Sequence, residues 1–251
     1  MIPIDFAGRV VLVTGGAKGI GRVIVDRFAS AGATIVACGR NEPGDLAGAS
    51  FIMCDVRDPE QVDAMVGRIT DEHGRLDVAV NNAGGSPSAD AATASPRFSE
   101  AIIRLNLLAP LHVAQAANRV MQEQADGGSI VNIASVSGIR PSPTTAAYGA
   151  AKAGLLNLTQ TLAVEWAPKV RVNAVTAGLI RTELAAMHYG DEEDIAAVGA
   201  TVPLGRMGEP ADVAHACLFL ASPLAAYISG ANIVVHGGGE RPAYLAAATP
   251  T

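Results

Sequence analysis

The sequence predicts an α/β fold: one doubly wound, parallel sheet of seven strands with helices on both faces. Two observations predict it. Short β-branched runs alternate with longer helical stretches, and repeated β-α-β units give a parallel sheet. The short runs are near-continuously apolar, as strands covered on both faces are. A length of 251 residues, 49% hydrophobic and 17% charged, supplies the core for such a sheet and excludes a disordered chain.

The elements follow in order. Residues 9–14 read as the first strand, and a helix at 19–31 opens directly after a glycine-rich turn. Strands at 34–38 and 51–54 precede a helix at 59–72. A strand at 76–80, a helix at 98–124, a strand at 129–134, a helix at 145–166 and a strand at 171–175 continue the alternation. A helix at 210–221 and a strand at 232–235 close it. No linker, repeat or low-complexity segment interrupts the pattern, so residues 1–251 read as a single domain. Two stretches read as loops: 85–97, rich in Ser, Ala and Pro, and 179–205, long enough for a lid or a small helical insertion.

Charge and cysteine content remove several classes of function. The net charge of −6, with no strong basic patch, argues against nucleic acid as a partner. Cys38, Cys54 and Cys217 lie far apart, without a C-x-x-C pair, which argues against a disulfide framework or a zinc site. His73 and His112 have no partners at metal-ligand spacing, and no metal is expected. His215 on an apolar helix reads as a core or interface group. Residues 1–6 lack the basic and apolar regions of a signal peptide. The uncharged stretch 213–239 is broken by His215, Pro223, Ser229, Gly230 and Asn232, and reads as a buried helix followed by a buried strand rather than a membrane span. These features predict a soluble, cytoplasmic protein without a membrane partner.

The chemistry begins at Thr14-Gly15-Gly16-Ala17-Lys18-Gly19-Ile20-Gly21. Glycines after a first strand let backbone N–H groups approach a pyrophosphate, and the helix that follows offers its positive dipole end to the same anion. The spacing Gly15-x-x-x-Gly19-x-Gly21 resembles that of the short-chain dehydrogenases/reductases, in the branch of the 3-oxoacyl reductases and hydroxysteroid dehydrogenases. Other motifs carry the resemblance to about Gly239: Asp55 after the third strand, Asn81-Asn82-Ala83-Gly84 after the fourth, Asn106 in the long central helix, Ser135 thirteen residues before Tyr148, and Tyr148-x-x-x-Lys152. The chain departs from the family at Ala177-Gly178, where a Pro-Gly pair is usual, which is expected to loosen the start of the lid. It departs again at His236, where an Asp is common and a structural role is expected.

The resemblance implies a Rossmann-like fold, a nicotinamide cofactor and a catalytic set of Asn106, Ser135, Tyr148 and Lys152. Tyr148 and Lys152, four apart on a helix, share a face. A phenol near pKa 10 is a poor base at neutral pH, and a nearby cation favours its phenolate. Tyr148 is therefore the expected proton donor and acceptor, and Ser135 the hydrogen-bond donor to the reacting oxygen. By resemblance Lys152 also holds the nicotinamide ribose and Asn106 anchors a proton-relaying water. The implied cofactor contacts are Gly15, Lys18, Gly19, Ile20, Gly21, Arg40, Asp55, Val56, Asn82, Ala83, Gly84, Tyr148, Lys152, Gly178, Ile180 and Thr182, with Asp55 on the adenine.

Cofactor choice is legible at the end of the second strand. NAD-preferring folds place an acid there for the ribose 2′-OH. Here the residues are Cys38-Gly39-Arg40; Gly39 leaves room for a 2′-phosphate, and Arg40 and Lys18 supply charge from two sides. NADP(H) is the expected cofactor, with NAD(H) as the lesser one. The substrate is expected to be a free, fairly apolar ketone or secondary alcohol. A 3-oxoacyl thioester, on acyl carrier protein or CoA, is the alternative. It is disfavoured by the neutral-to-acidic segment Gln122-Glu123-Gln124-Ala125-Asp126, where carrier-dependent relatives often carry bases. A non-catalytic dinucleotide-binding regulator is a distant third, because all four catalytic positions are filled. His188 and Tyr189 fall in the lid, and Asp191-Glu192-Glu193-Asp194 reads as a solvated helix start. The little-charged stretches 105–118 and 153–164 read as interface surface; the resemblance implies that the two helices pair across a two-fold axis and that the uncharged C-terminal segment forms a second contact, giving a homotetramer, a dimer of dimers.

Overall fold

The computed structural model describes residues 4–44, 46 and 48–244. Residues 1–3, part of the segment read for a leader, and 245–251, the end of the C-terminal segment, lie outside the described residues. Seven parallel strands form one sheet in the order β3-β2-β1-β4-β5-β6-β7. They are β1 Val10–Thr14, β2 Thr34–Gly39, β3 Ser50–Met53, β4 Val78–Asn81, β5 Gly128–Ser135, β6 Val170–Ala177 and β7 Asn232–Val235. The order reverses between β1 and β4, and the carboxyl ends of strands at such a switch point form a crevice suited to a ligand.

Alternation of side chains sends each strand's residues to two cores. Leu12, Val36, Cys38 and Ile130 point to one face, against α2 (Pro59–His73), α4 (Ala109–Glu123) and α5 (Ala146–Glu165). Val11, Val13, Ile35, Val131 and Val175 point to the other, against α1 (Gly19–Ser30) and α8 (Pro210–Ala221). Both faces are dry, which explains why the strands read as unbroken apolar runs. All three cysteines are buried free thiols. The stretch 213–239 is the end of α8, a short turn at Pro223–Ala225 and β7. Among the described residues no helix is long and apolar enough to cross a membrane.

Three expectations need correction. The helix expected at 98–124 is α3 (Pro96–Ile103), a π-turn at Arg104–Leu108 and α4. The reason is Pro110, which has no N–H to return to the carbonyl of Asn106 four residues earlier. His215 is exposed on α8 and is not a core group. The start of the lid is not loosened by Ala177. That residue stays in β6, in register with Ser135 of β5 and Val235 of β7, and the next N–H, of Gly178, donates to the Val235 carbonyl at 2.9 Å. His236 packs on Gly178 at this point, the structural role expected of it.

Candidate active site

The glycine turn lies at the switch point and is locked from the β4 side. Asn82 Nδ2 donates to the carbonyls of Thr14 (2.9 Å) and Gly15 (3.2 Å), while the N–H groups of Asn82 and Ala83 both donate to Thr14 Oγ1 at 3.0 Å. Gly21 is the residue this packing requires: a Cβ there would stand 2.2 Å from the Gly15 carbonyl oxygen and 2.4 Å from Asn82 Nδ2. Ala83 and Gly84 continue the motif along the rim, with Gly84 beside Asn106 and Lys152. The two asparagines thus have separate tasks. Asn82 holds the turn, and buried Asn81 reaches the Pro110 carbonyl and the Asn132 side chain, whose own Nδ2 donates to Thr159 of α5. Asn132 and Thr159 were not singled out in the sequence; a buried polar chain of this kind has no local pattern.

Arg40 at the end of β2 and Lys18 in the glycine turn are exposed, and their side chains make no hydrogen bond or close ion pair among the described residues. An added Cβ at Gly39 meets only the Phe51 ring, at 3.5 Å, so space is open beside Arg40. Asp55 is committed to Arg57, whose Nε lies 2.9 and 3.1 Å from its two oxygens. That hydrogen-bonded guanidinium holds the Asp55 carboxyl below the ordinary range, and Arg40 adds to the effect. Arg57 is a cation at this end that sequence reading missed. Its signal was the Asp-x-Arg spacing, which forms a local pair. Val56 is buried beside it in the core.

The catalytic candidates converge at the carboxyl end of β5. Ser135 ends the strand, and its Oγ accepts from the Ser137 N–H at 3.2 Å, capping the turn Val136–Gly138. That turn lies directly on α5: a Cβ at Gly138 would be 2.7 Å from the Lys152 carbonyl carbon. The close approach brings the Ser135 hydroxyl beside Tyr148, near enough to lower its phenol pKa. Lys152 is 3% exposed, and its Nζ donates to the Ile133 carbonyl at 2.7 Å and lies 5.7 Å from the Tyr148 ring centre. Burial lowers its pKa from 10.5 to about 8. Burial also raises the Tyr148 phenol above its ordinary value, partly offset by the Ser135 hydroxyl, with Tyr189 of the lid adding to the rise. The protein alone therefore does not produce the lowered phenol pKa expected from a nearby cation. Asn106 is wholly buried on the π-turn; its side chain clamps Gly85, accepting from the N–H at 2.8 Å and donating to the carbonyl at 2.9 Å, and also donates to Ile102.

The lid contains two short helices, α6 (Ala185–Tyr189) and α7 (Glu192–Thr201). Asp191 caps α7 and exchanges hydrogen bonds with Asp194, as expected of a helix start. Tyr189 is half-buried on the small lid core of Ala185, Ile195 and Met207, whereas His188 is exposed. Ile180 bridges to Gly208, and Thr182 lies over Gly19. The chain carries, at one rim, a hydroxyl pair, a buried ammonium and a glycine turn at a helix N-terminus. That donor set suits a phosphate-linked dinucleotide with its reacting end beside Tyr148.

Comparison with known proteins points the same way. Residues 15–240 match a family model described as enoyl-(acyl carrier protein) reductase. A 3α-hydroxysteroid dehydrogenase of Mediterraneibacter gnavus is 38% identical over 91% of this chain and 96% of its own length. The 3-oxoacyl-(acyl carrier protein) reductase FabG of Vibrio cholerae is 35% identical over 93% of this chain and 98% of its own. A short-chain type dehydrogenase/reductase of Sinorhizobium fredii is 39% identical over 92% of this chain, which spans 43% of that protein. In structure, the aldohexose dehydrogenase of Thermoplasma acidophilum matches with a TM-score of 0.88 at 34% identity, covering 99% of this chain and 97% of that one.

Proposed function

Because the chain belongs to the short-chain dehydrogenases/reductases, oxidoreductases acting on CH–OH groups, we propose that it interconverts a free, fairly apolar ketone and its secondary alcohol with NADP(H) as cofactor. The observation that carries the reading is the convergence of Ser135, Tyr148 and Lys152 beside the glycine turn. When bound, the nicotinamide would supply the hydride in reduction and accept it in oxidation. The residues do the rest. Tyr148 gives its phenolic proton to the carbonyl oxygen in reduction and takes it back in oxidation. Ser135 donates a hydrogen bond to the same oxygen as charge develops there. The Lys152 ammonium, beside the tyrosine ring, stabilises phenolate, and its protons not used by Ile133 are available to the nicotinamide ribose. Burial raises the Tyr148 phenol, so the Lys152 ammonium, and the positive charge that an oxidised nicotinamide would carry, would favour its phenolate. Asn106 spends its side chain on Gly85 and Ile102, so any anchoring of a relay water falls to its backbone carbonyl, which Pro110 leaves without its usual donor.

The turn holds the pyrophosphate through Gly15, Gly19, Ile20 and Gly21, with Gly178, Ile180 and Thr182 closing from the lid side. The exposed side chains of Arg40 and Lys18, without hydrogen bonds to the protein, are available to a 2′-phosphate. Kinetics with a panel of ketones and alcohols tests the reading: kcat/KM is expected to be higher with NADPH than with NADH. Gly39→Asp with Arg40→Ala is expected to shift that preference toward NADH by about 10–100-fold per residue, as charged hydrogen bonds of about 1.5–3 kcal/mol imply. A wild-type preference for NADH would refute the roles of Lys18 and Arg40. The FabG relative supports a 3-oxoacyl thioester as the second reading; robust turnover of such a thioester, and of no free ketone, would select it.

A homotetramer is part of the proposal. The only charges on α5 are buried Lys152 and terminal Glu165, so its outer face, with Val164 80% exposed, is uncharged over most of its length. Faces of that kind are covered by a second subunit. A monomeric mass by light scattering at micromolar concentration would contradict this.

A further inference from the structure

A lid carboxylate stands on the phosphate-binding turn. Glu183 Oε1 accepts the Gly19 N–H at 2.7 Å, across 164 residues of chain. Gly19 is the first residue of α1, and its N–H is one of the donors that a helix leaves unpaired at its start. Several other helices satisfy such donors locally, although α5, with Thr145 at its N-cap, has no side-chain cap either. Asp58 caps α2, Ser95 caps α3, Asp191 caps α7, and Asp212 of α8 reaches back to the Glu209 N–H. Helix α1 does not: Lys18 at its N-cap makes no side-chain cap, and its first turn has no acid. Its acid comes from the lid.

The segment that bears Glu183 is tied twice just before it. Arg181 just before it donates to the Gly208 carbonyl through its backbone, and its guanidinium grips both oxygens of Glu192 on α7, at 2.9 and 2.7 Å. Lys18, Arg22 and Arg181 line a groove of about 770 Å³ with Glu183, Glu192 and Glu209, so the lid and the turn share one charged wall. A carboxylate and a pyrophosphate at this turn draw on the same N–H and the same helix dipole, and two anions there repel.

We propose that Glu183 is a latch that couples the lid to cofactor binding: it holds the lid on the turn until the pyrophosphate of the dinucleotide displaces it. This rests on the dinucleotide reading above. Binding then releases the Glu183 side chain from the Gly19 N–H, while Thr182 stays over the turn, and release of the cofactor restores the contact. The latch lowers cofactor affinity, so removing its charge raises it.

The test uses the full chain and two variants, Glu183→Gln and Glu183→Ala. Calorimetric titration with NADPH, and with ADP-ribose as a probe lacking nicotinamide, is expected to give a Kd about two- to fivefold tighter in both variants, the worth of an exposed carboxylate at a helix N-terminus. Hydrogen exchange at the Gly19 amide of the cofactor-free protein is expected to be faster in Glu183→Ala than in the wild type, and equal in the two once ADP-ribose is bound. NADPH binding with unchanged Kd in both variants, and unchanged Gly19 exchange, overturns the latch and leaves the cofactor reading intact. Failure of the wild type to bind either probe overturns the cofactor reading and the latch with it.

Discussion

The rim of the sheet and the lid are built on opposite terms. At the rim, Thr14, Asn81, Asn106 and Lys152 are all at most 3% exposed, and each has a side-chain hydrogen bond to the protein, most of them to backbone. Their positions are over-determined. The lid buries only Ala185, Ile195 and Val202 among its apolar side chains, the first two against Met207 just beyond it, and leaves Met187 and Leu204 more than 70% exposed. Its polar ties are surface contacts such as Arg181 with Glu192. Buried, cross-linked groups hold reacting atoms to a fixed geometry, whereas weakly packed segments open at low cost. The difference teaches that the groups proposed to react sit on the part that cannot move, and that the segment free to move over them is the lid.

The comparison breaks most visibly at Gly21. Gly21→Ala must open the turn, because its methyl would stand 2.2 Å from the Gly15 carbonyl and displace Asn82. Loss of dinucleotide binding is expected, together with about 1–3 kcal/mol of destabilisation, the cost typical of overpacking. Calorimetry and thermal unfolding read both. A variant that binds cofactor as the wild type does would show that the rim is not rigid.

A smaller effect sharpens the same point at Lys152. Burial holds its pKa at about 8, against 10.5 ordinarily. Between those values the unfolded chain binds more protons than the folded one, so stability rises with pH across this window, and the full penalty stands below it. Lys152→Met removes the penalty. The stability of the wild type relative to Lys152→Met is therefore expected to climb between about pH 8 and 10.5, while the variant loses turnover. Parallel pH profiles of the two, or a wild type that gains nothing there, would mean that the ammonium is better compensated than its single bond to Ile133 indicates.

Much of the rim was legible in the sequence because its residues act in short motifs. Gly15 to Gly21, Asn81 to Gly84 and Tyr148 to Lys152 each sit on one turn or helix, so spacing alone aligns them. Three features were not legible. The π-turn at Asn106 arises where Pro110 removes one donor, a break inside a run that otherwise reads as one helix. Arg57 takes the Asp55 carboxylate that resemblance assigns to adenine. The Glu183 contact joins residues 164 apart, and no local pattern encodes a pairing made by the fold. The lid was legible as a stretch long enough for a lid or a small helical insertion, with a helix start at Asp191, but not in what its side chains touch.

The central claim is that Tyr148 moves the proton, on a rim that binds the cofactor independently of it. Tyr148→Phe, assayed for turnover and for NADPH affinity on the same preparation, tests it most directly. The account predicts kcat lower by about 10²–10⁴, the contribution of a positioned acid/base group, with Kd for NADPH nearly unchanged. A variant with near wild-type kcat would contradict it and remove Tyr148 from the reaction.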